Sequence, residues 1–155
     1  MLIKALDEAR KMRSKEKREF YARILAGAAT ITSENEGASA EEYLYLVSDL
    51  TVIELEVARK MYELQEDYIR RYMDQEGQDP RQKHTGEEKE IWHMQREILI
   101  KDTGSDYSEI TQLMNRIAST GLVDVRYMNT PGSTAATYWI SPVFERLIRF
   151  IRIAE

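Results

Sequence analysis

The sequence predicts a mainly helical protein that has an N-terminal helical layer and one β-hairpin near its C-terminus. Apolar residues recur at helical spacing through most of the chain, whereas strict alternation occurs only within residues 122–140. The chain has only 7 glycines and 3 prolines, which are too few for the many turns of an all-β fold. A length of 155 residues fits one domain, or two small ones that share a core.

The first 50 residues are predicted to form a layer of three helices. An apolar stripe up to Ser14 predicts the first helix, and a second stripe predicts another helix that ends before an acidic loop at residues 32–37. Ser39 and Glu42 have the spacing of a capping box, which predicts that the third helix begins there. The first stripe starts directly at Met1, which is compatible with a chain cut from a longer protein.

Residues 51–155 are predicted to form a second domain that opens with a long helix. Thr51 and Glu54 make another candidate capping box, and the broad apolar coverage of the helix that follows indicates burial on two sides. Residues 74–86 are polar and contain proline and glycine, so we expect a long exposed loop there. Thr85 is the candidate cap of the next helix.

The last third of the chain changes from helical spacing to alternation. Gly121 is expected to end a helix of about twelve residues. Alternating segments at 122–128 and 136–140 predict a β-hairpin with a long tip between them. Ser141 and Pro142 then open a C-terminal helix.

The order of elements after residue 50 resembles a winged helix. Thr-Gly-Leu-Val at residues 120–123 resembles the segment that links that family's third helix to the first strand of the wing. Tyr-Trp-Ile-Ser-Pro at residues 138–142 resembles the segment at the end of its second strand. The resemblance covers residues 51–145 and implies a winged-helix-like C-terminal domain on which the helical layer of residues 1–50 packs. The long loop departs from the family pattern.

Two N-terminal segments are similar to the bacterial Abi-alpha type family. REFYARILAGA at residues 18–28 is similar to a segment of that family with small residues. EYLYLVSDLTVIE at residues 42–54 is similar to its short helix and the Leu-Ser/Thr-Pro step that follows. That family has no established biochemical activity, and its name implies an association with phage defence.

Charge is segregated along the chain beneath a net value of −5. Residues 1–23 hold eight basic and four acidic side chains, whereas residues 24–56 hold seven acidic and no basic ones. Such segregation favours faces that pair with each other, within the chain or across a homodimer. The residues predicted for a dimer interface are Tyr62, Tyr68, Leu147 and Phe150. Core packing is the alternative interpretation for them.

DNA binding is the alternative function that a winged helix implies. The candidate DNA contacts are Gln112, Asn115, Arg116 and Arg126. Amide side chains can read adenine and arginine can read guanine. Phosphate contacts supply most non-specific affinity, however, and acidic residues around this helix counter its few basic ones. A winged helix used for protein contacts is therefore favoured over one that binds DNA.

The residues offer little for catalysis or metal binding. The only histidines are His84 and His93, and the absence of cysteine excludes thiolate chemistry. Glu90 and His93 lie on one helical face, but a carboxylate-bridged metal site needs a second such pair, and the sequence has none. We expect no enzymatic activity, no cofactor and no metal site.

The expected function is a non-enzymatic interaction or regulatory module, with a link to phage defence implied by the Abi-alpha resemblance. No apolar run approaches the ~18 residues of a membrane helix, and no signal-peptide segment is present. The absence of cysteine fits a reducing compartment. We expect a cytoplasmic homodimer that does not associate with membranes.

Overall fold

The structure, a computed structural model, describes residues 15–29, 34–82, 87–130 and 133–153. In chain order these residues form helices α1 (Lys15–Ala29), α2 (Glu34–Asp49), α3 (Val52–Glu76), α4 (Glu87–Thr103) and α5 (Tyr107–Ser119), strands β1 (Val123–Thr130) and β2 (Ser133–Ile140), and helix α6 (Pro142–Ile153). The predicted mainly helical fold with one C-terminal hairpin is therefore confirmed. The helix predicted before Ser14 lies outside the described residues.

The chain divides into two compact units. The first unit contains residues up to Leu55 together with those from Pro142 onward, and the second is Glu56–Ser141. One boundary between the units falls inside α3 and the other directly before α6, so α6 belongs with the N-terminal helices. The domains 1–50 and 51–155 expected from the sequence differ from these units mainly in the assignment of α6.

In the first unit, α1 packs against both α2 and α6. Tyr21 and Ile24 of α1 are buried, and Gly27 lies so close to α6 that an added Cβ would stand 2.6 Å from the carbonyl oxygen of Phe150. The rings of Tyr43 and Phe150 meet edge to face, with centroids 5.4 Å apart. Apolar side chains therefore join the helices of this unit, and a glycine sets the closest approach.

The start of α2 differs from the prediction, whereas the start of α3 matches it. Helix α2 begins at Glu34, so the loop expected at residues 32–37 is wrong from that residue on, and Ser39 lies inside the helix rather than at its start. Glutamate and alanine favour helix in this polar stretch. At α3 the predicted capping box is confirmed: Thr51 N donates to Glu54 Oε2 (2.6 Å), and Glu54 N donates to Thr51 Oγ1 (3.3 Å).

The loop expected at residues 74–86 begins later than predicted, and part of its described stretch is ordered as a turn. Helix α3 runs through the first three of these residues and ends beside Gly77, whose φ of 66° favours glycine. Pro80–Gln82 then form a 3₁₀ turn in which the proline is buried. Thr85, the candidate cap of the next helix, lies outside the described residues.

The hairpin of the second unit is longer than predicted. Its antiparallel register pairs Val123 with Ile140 and continues to Thr130 opposite Ser133. Only residues 131–132 lie between the last paired positions, so the expected long tip is wrong. The Asn, Thr and Ser residues near the tip are typical of turns, but here they continue the strands.

The core of the second unit forms where α4 packs on α5 and on β2. The ring of Trp92 on α4 lies 4.9 Å from the ring of Tyr138, measured between centroids. Trp139, which is 1% exposed, has its ring 5.9 Å from that of Tyr68 on α3. Aromatic residues of β2 therefore anchor the hairpin to two helices.

Candidate functional site

Helix α5 is fixed at both ends by local structure. Glu109 N donates to Asp106 Oδ1 (2.9 Å), and Asp106 N donates to Glu109 Oε2 (2.8 Å), which completes a capping box. At the other end Gly121 has a φ of 83°, so the predicted helix stop is confirmed. The capping box was not predicted, although Asp followed by Glu three residues later is its sequence signature.

Helix α5 presents one apolar stripe to the core and one polar stripe to solvent. The buried stripe consists of Ile110, Met114 and Ile117. On the other side Gln112, Asn115 and Arg116, three of the four candidate DNA contacts, are all exposed. The helical spacing therefore predicted the outward orientation of these three side chains correctly.

Asn115 is also bonded to the hairpin. The hydroxyl of Tyr138 donates to Asn115 Oδ1 at 2.6 Å. Burial raises the pKa of Tyr138, and the nearby phenol groups of Tyr127 and Tyr107 raise it further. Tyr127 lies two residues after Val125, the partner of Tyr138 in the register, so Tyr127 and Tyr138 share one face of the hairpin.

The exposed side chains around this contact form a mixed polar and aromatic surface. Tyr107 is 57% exposed and Tyr127 is 70% exposed. With the outward residues of α5 they make up what we call the α5–hairpin surface: Tyr107, Gln112, Asn115, Arg116 and Tyr127. Asp106 and Glu109 at the start of α5 are exposed as well, so this end of the helix is acidic.

Arg126, the fourth candidate DNA contact, faces inward instead. Its Nη1 donates to Glu88 Oε1 at 2.6 Å, and the two side chains are 16% and 2% exposed. The guanidinium carbon also lies 5.7 Å from the ring of Trp139. The ion pair argues against a phosphate contact for Arg126, because a buried carboxylate holds its charge within the unit; the assignment stays a prediction from the sequence.

A second ion pair lies in the 3₁₀ turn. Arg81 donates to both carboxylate oxygens of Asp79, at distances from 2.6 to 3.0 Å, and its Nη1 donates to the carbonyl of Ile140 at 3.4 Å. These bonds from Arg81, together with the positive charge of Arg126, lower the pKa of Asp79. Charged groups therefore tie this turn to the base of the hairpin.

Two buried glutamines connect the helices to β2. Gln65 Nε2 donates to Gln95 Oε1 (2.9 Å) and to the carbonyl of Tyr138 (2.8 Å), while Ile140 N donates to Gln65 Oε1 (2.6 Å). The two glutamine residues are 0% and 3% exposed. These residues were not predicted, although each occurs on a buried stripe of its helix.

Glu90 and His93, the pair considered for a metal site, both lie within the described residues. Both residues are exposed on α4, and His93 Nδ1 accepts from Arg96. Within the described ranges, no three histidine or acidic residues come together as a group suited to a metal ion. The guanidinium of Arg96 instead lies 4.1 Å from the ring centroid of Tyr107. His84 lies outside the described residues.

The residues predicted for a dimer interface are largely core residues of the single chain. Tyr62 is 6% exposed and its hydroxyl donates to Glu66. Leu147 and Phe150 are 2% and 7% exposed within the first unit. Only Tyr68 is half-buried, and its ring contacts neighbouring aromatic rings. This burial fits core packing, the alternative interpretation, and argues against an interface at these residues.

Comparison with protein-family models, with curated proteins and with solved structures finds no match for this chain. Across the part of the chain that the structure describes, no helix combines the length and the apolar character that a membrane span requires.

Proposed function

We propose that this protein is a non-enzymatic interaction or regulatory module that binds a protein partner with its α5–hairpin surface and acts as a homodimer. The observation that carries the proposal is the exposure of two tyrosines, 57% for Tyr107 at the start of α5 and 70% for Tyr127 on the hairpin face that bonds to α5. Tyrosine and arginine are enriched at protein interfaces, because both combine an extended contact area with polar groups.

The rigid base beneath this surface adds support. The hydrogen bonds of Gln65 and the ion pair of Arg126 fix the hairpin to the helices, so the exposed tyrosines stand on an ordered scaffold. A preorganised surface loses less conformational entropy when a partner binds. The buried polar groups therefore favour recognition by a fixed surface.

A winged-helix regulator that binds DNA is the second candidate, favoured by the outward orientation of Gln112, Asn115 and Arg116. Phosphate neutralisation argues against it, since Arg126 is paired with Glu88 and the start of α5 carries the acidic Asp106 and Glu109. The winged-helix relationship, the link to phage defence and the cytoplasmic location stay predictions from the sequence.

Photo-crosslinking in cells of the source organism tests the leading proposal. We expect a photoreactive phenylalanine analogue in place of Tyr127 to give a discrete crosslinked protein, because this ring is 70% exposed. The same analogue at Met73, which is 43% exposed on α3, is the control and should give none. Loss of the crosslink in a Tyr107→Ser background would assign it to the proposed surface. Equal products at both positions would contradict the proposal.

Fluorescence anisotropy of a labelled random duplex tests the second candidate. Binding that collapses between about 50 and about 200 mM salt would favour the regulator, because counterions are released for each phosphate contacted. We then expect Arg116→Ala to weaken binding to every duplex if its contact is to phosphate. The absence of binding at both salt concentrations would reject the DNA-binding function.

A further inference from the structure

The first unit carries its opposite charges on separate helices. Helix α2 contains five acidic residues and no basic one, whereas α6 contains three arginines and one glutamate. Helix α1, which contacts both, places Lys15 and Arg18 at the surface. The segregation seen along the sequence is therefore also a segregation between the surfaces of one folded unit.

The outward stripe of α2 combines carboxylates with an exposed aromatic ring. Glu42, Tyr45 and Asp49 follow one another at intervals of three and four residues, so they share one face of the helix. Tyr45 is 71% exposed, and Glu41 adds a further exposed carboxylate beside it. Tyr43 and Val47 are buried on the opposite side, which fixes this orientation. We call Glu41, Glu42, Tyr45 and Asp49 the acidic stripe.

The outward stripe of α6 is its counterpart in charge. Arg146, Arg149 and Arg152 recur every three residues and are all exposed. Within the described residues, Arg146 and Arg149 form no ion pair. The other side of the helix is apolar and buried. We call Arg146, Arg149 and Arg152 the basic stripe.

We propose that the acidic stripe of one copy of the chain docks against the basic stripe of a second copy. The stripes fit in length, because the seven steps from Glu42 to Asp49 and the six steps from Arg146 to Arg152 rise by about 10.5 Å and about 9 Å. Arginines of the basic stripe pair with the carboxylates, and one guanidinium stacks on the Tyr45 ring. The inference rests on the homodimer of the proposed function and names its surface.

A second copy fits these observations better than a nucleic acid does. A nucleic acid would use only the basic stripe, and the acidic helix in the same unit would repel its phosphates. Two copies related by a twofold axis can instead form the same contact twice, since each supplies both stripes. The opposite charges and matched lengths of the two surfaces then have one common explanation.

Charge reversal with compensation is the test. We expect Glu42→Arg to weaken dimerisation by about tenfold or more, and Arg149→Glu to do the same, because each places like charges together. The double variant restores opposite charges in each contact and should recover most of the affinity. Tyr45→Ser should also weaken the dimer. Sedimentation velocity at low and high salt measures all of these.

Arg59→Glu is the matched control, because it reverses an exposed arginine on α3 in the other unit and should leave dimerisation unchanged. Circular dichroism and thermal unfolding of each variant separate loss of association from loss of fold. A wild-type chain that stays monomeric would overturn both the homodimer and this surface. A dimer that neither reversal weakens, or that the double variant fails to restore, would overturn the surface alone. Crosslinking at Tyr127 reports separately on the α5–hairpin surface.

Discussion

In the first unit α1, α2 and α6 meet chiefly through apolar side chains and present most of their charges to solvent, whereas the second unit places amides and an ion pair in its interior. Gly27 against Phe150 and the ring pair of Tyr43 typify the first arrangement. Gln65, Glu88 and Arg126 typify the second. The two units of one short chain are therefore stabilised by different kinds of contact.

The difference has a consequence for tolerance to mutation. Apolar packing accepts substitutions that conserve volume, whereas a buried donor or acceptor needs one particular partner at hydrogen-bond distance. Removing a partner leaves a desolvated polar group, which costs more than the bond itself contributes. We therefore expect the second unit to be the more sensitive to loss of single polar side chains.

The largest effect is expected from Arg126→Ala. Glu88 would remain as an uncompensated charge at 2% exposure, and we expect a loss of about 3–5 kcal/mol in the free energy of unfolding. Urea unfolding measures it. The double variant Glu88→Leu with Arg126→Leu removes both charges and should recover much of the loss. An Arg126→Ala variant as stable as the wild type would contradict a stabilising role for the ion pair.

A smaller loss is expected from Gln65→Leu. The substitution deprives Ile140 N and the Tyr138 carbonyl of their partner, so we expect a cost of about 2–4 kcal/mol in urea unfolding. Gln75→Leu, near the exposed end of the same helix, is the control and should change stability by less than about 0.5 kcal/mol. Equal effects of the two substitutions would mean that the buried amide contributes no special stability.

In the first unit the sensitive position is Gly27. A Cβ there would stand 2.6 Å from the Phe150 carbonyl oxygen, so Gly27→Ala must separate α1 from α6, at a cost of about 1–3 kcal/mol. Thermal unfolding measures it, and Ala22→Ser on the exposed face of α1 is the control. Alanine favours helix over glycine by about 1 kcal/mol, so a stabilised variant would contradict the close approach.

The smallest effect is a pH dependence at the 3₁₀ turn. Hydrogen bonds from Arg81 lower the pKa of Asp79 from its usual value of 3.8. The carboxylate therefore contributes stability that is present above pH 3.8 and is lost as the pH falls through the lowered pKa of the folded state. Asp79→Asn should reduce the loss of stability measured by urea unfolding between about pH 5 and about pH 3. An unchanged loss in this variant would exclude the contribution.

Local patterns predicted most of the fold. Helical spacing located the helices, the Thr51–Glu54 pair marked the start of α3, and Gly121 marked the end of α5. Polarity was the misleading signal: the acidic residues from Glu34 on and those after residue 74 suggested loops, yet glutamate and glutamine also favour helix. The helix propensity of these residues therefore set the start of α2 and the end of α3, where the polar composition had suggested loops.

The orientation of a candidate site residue could be predicted only where the periodicity of a single helix determined it. Gln112 and Arg116 face outward as the periodicity required. Arg126 could not be placed in this way, because its partner Glu88 lies 38 positions away and no local pattern joins them. For Gln65 a signal existed, since it is four residues from Met61 and Ile69 and so shares their buried stripe.

The amide of Gln65 also takes the place of a neighbouring strand. Tyr138 O and Ile140 N bond to this side chain rather than to β1, so part of the outer edge of the hairpin is already paired. Unpaired edges can recruit strands from other molecules and lead to aggregation. A single glutamine side chain thus occupies the hydrogen-bonding groups at this part of the hairpin edge. The Ile140 amide proton should therefore exchange with solvent as slowly as an amide proton in the interior of a sheet.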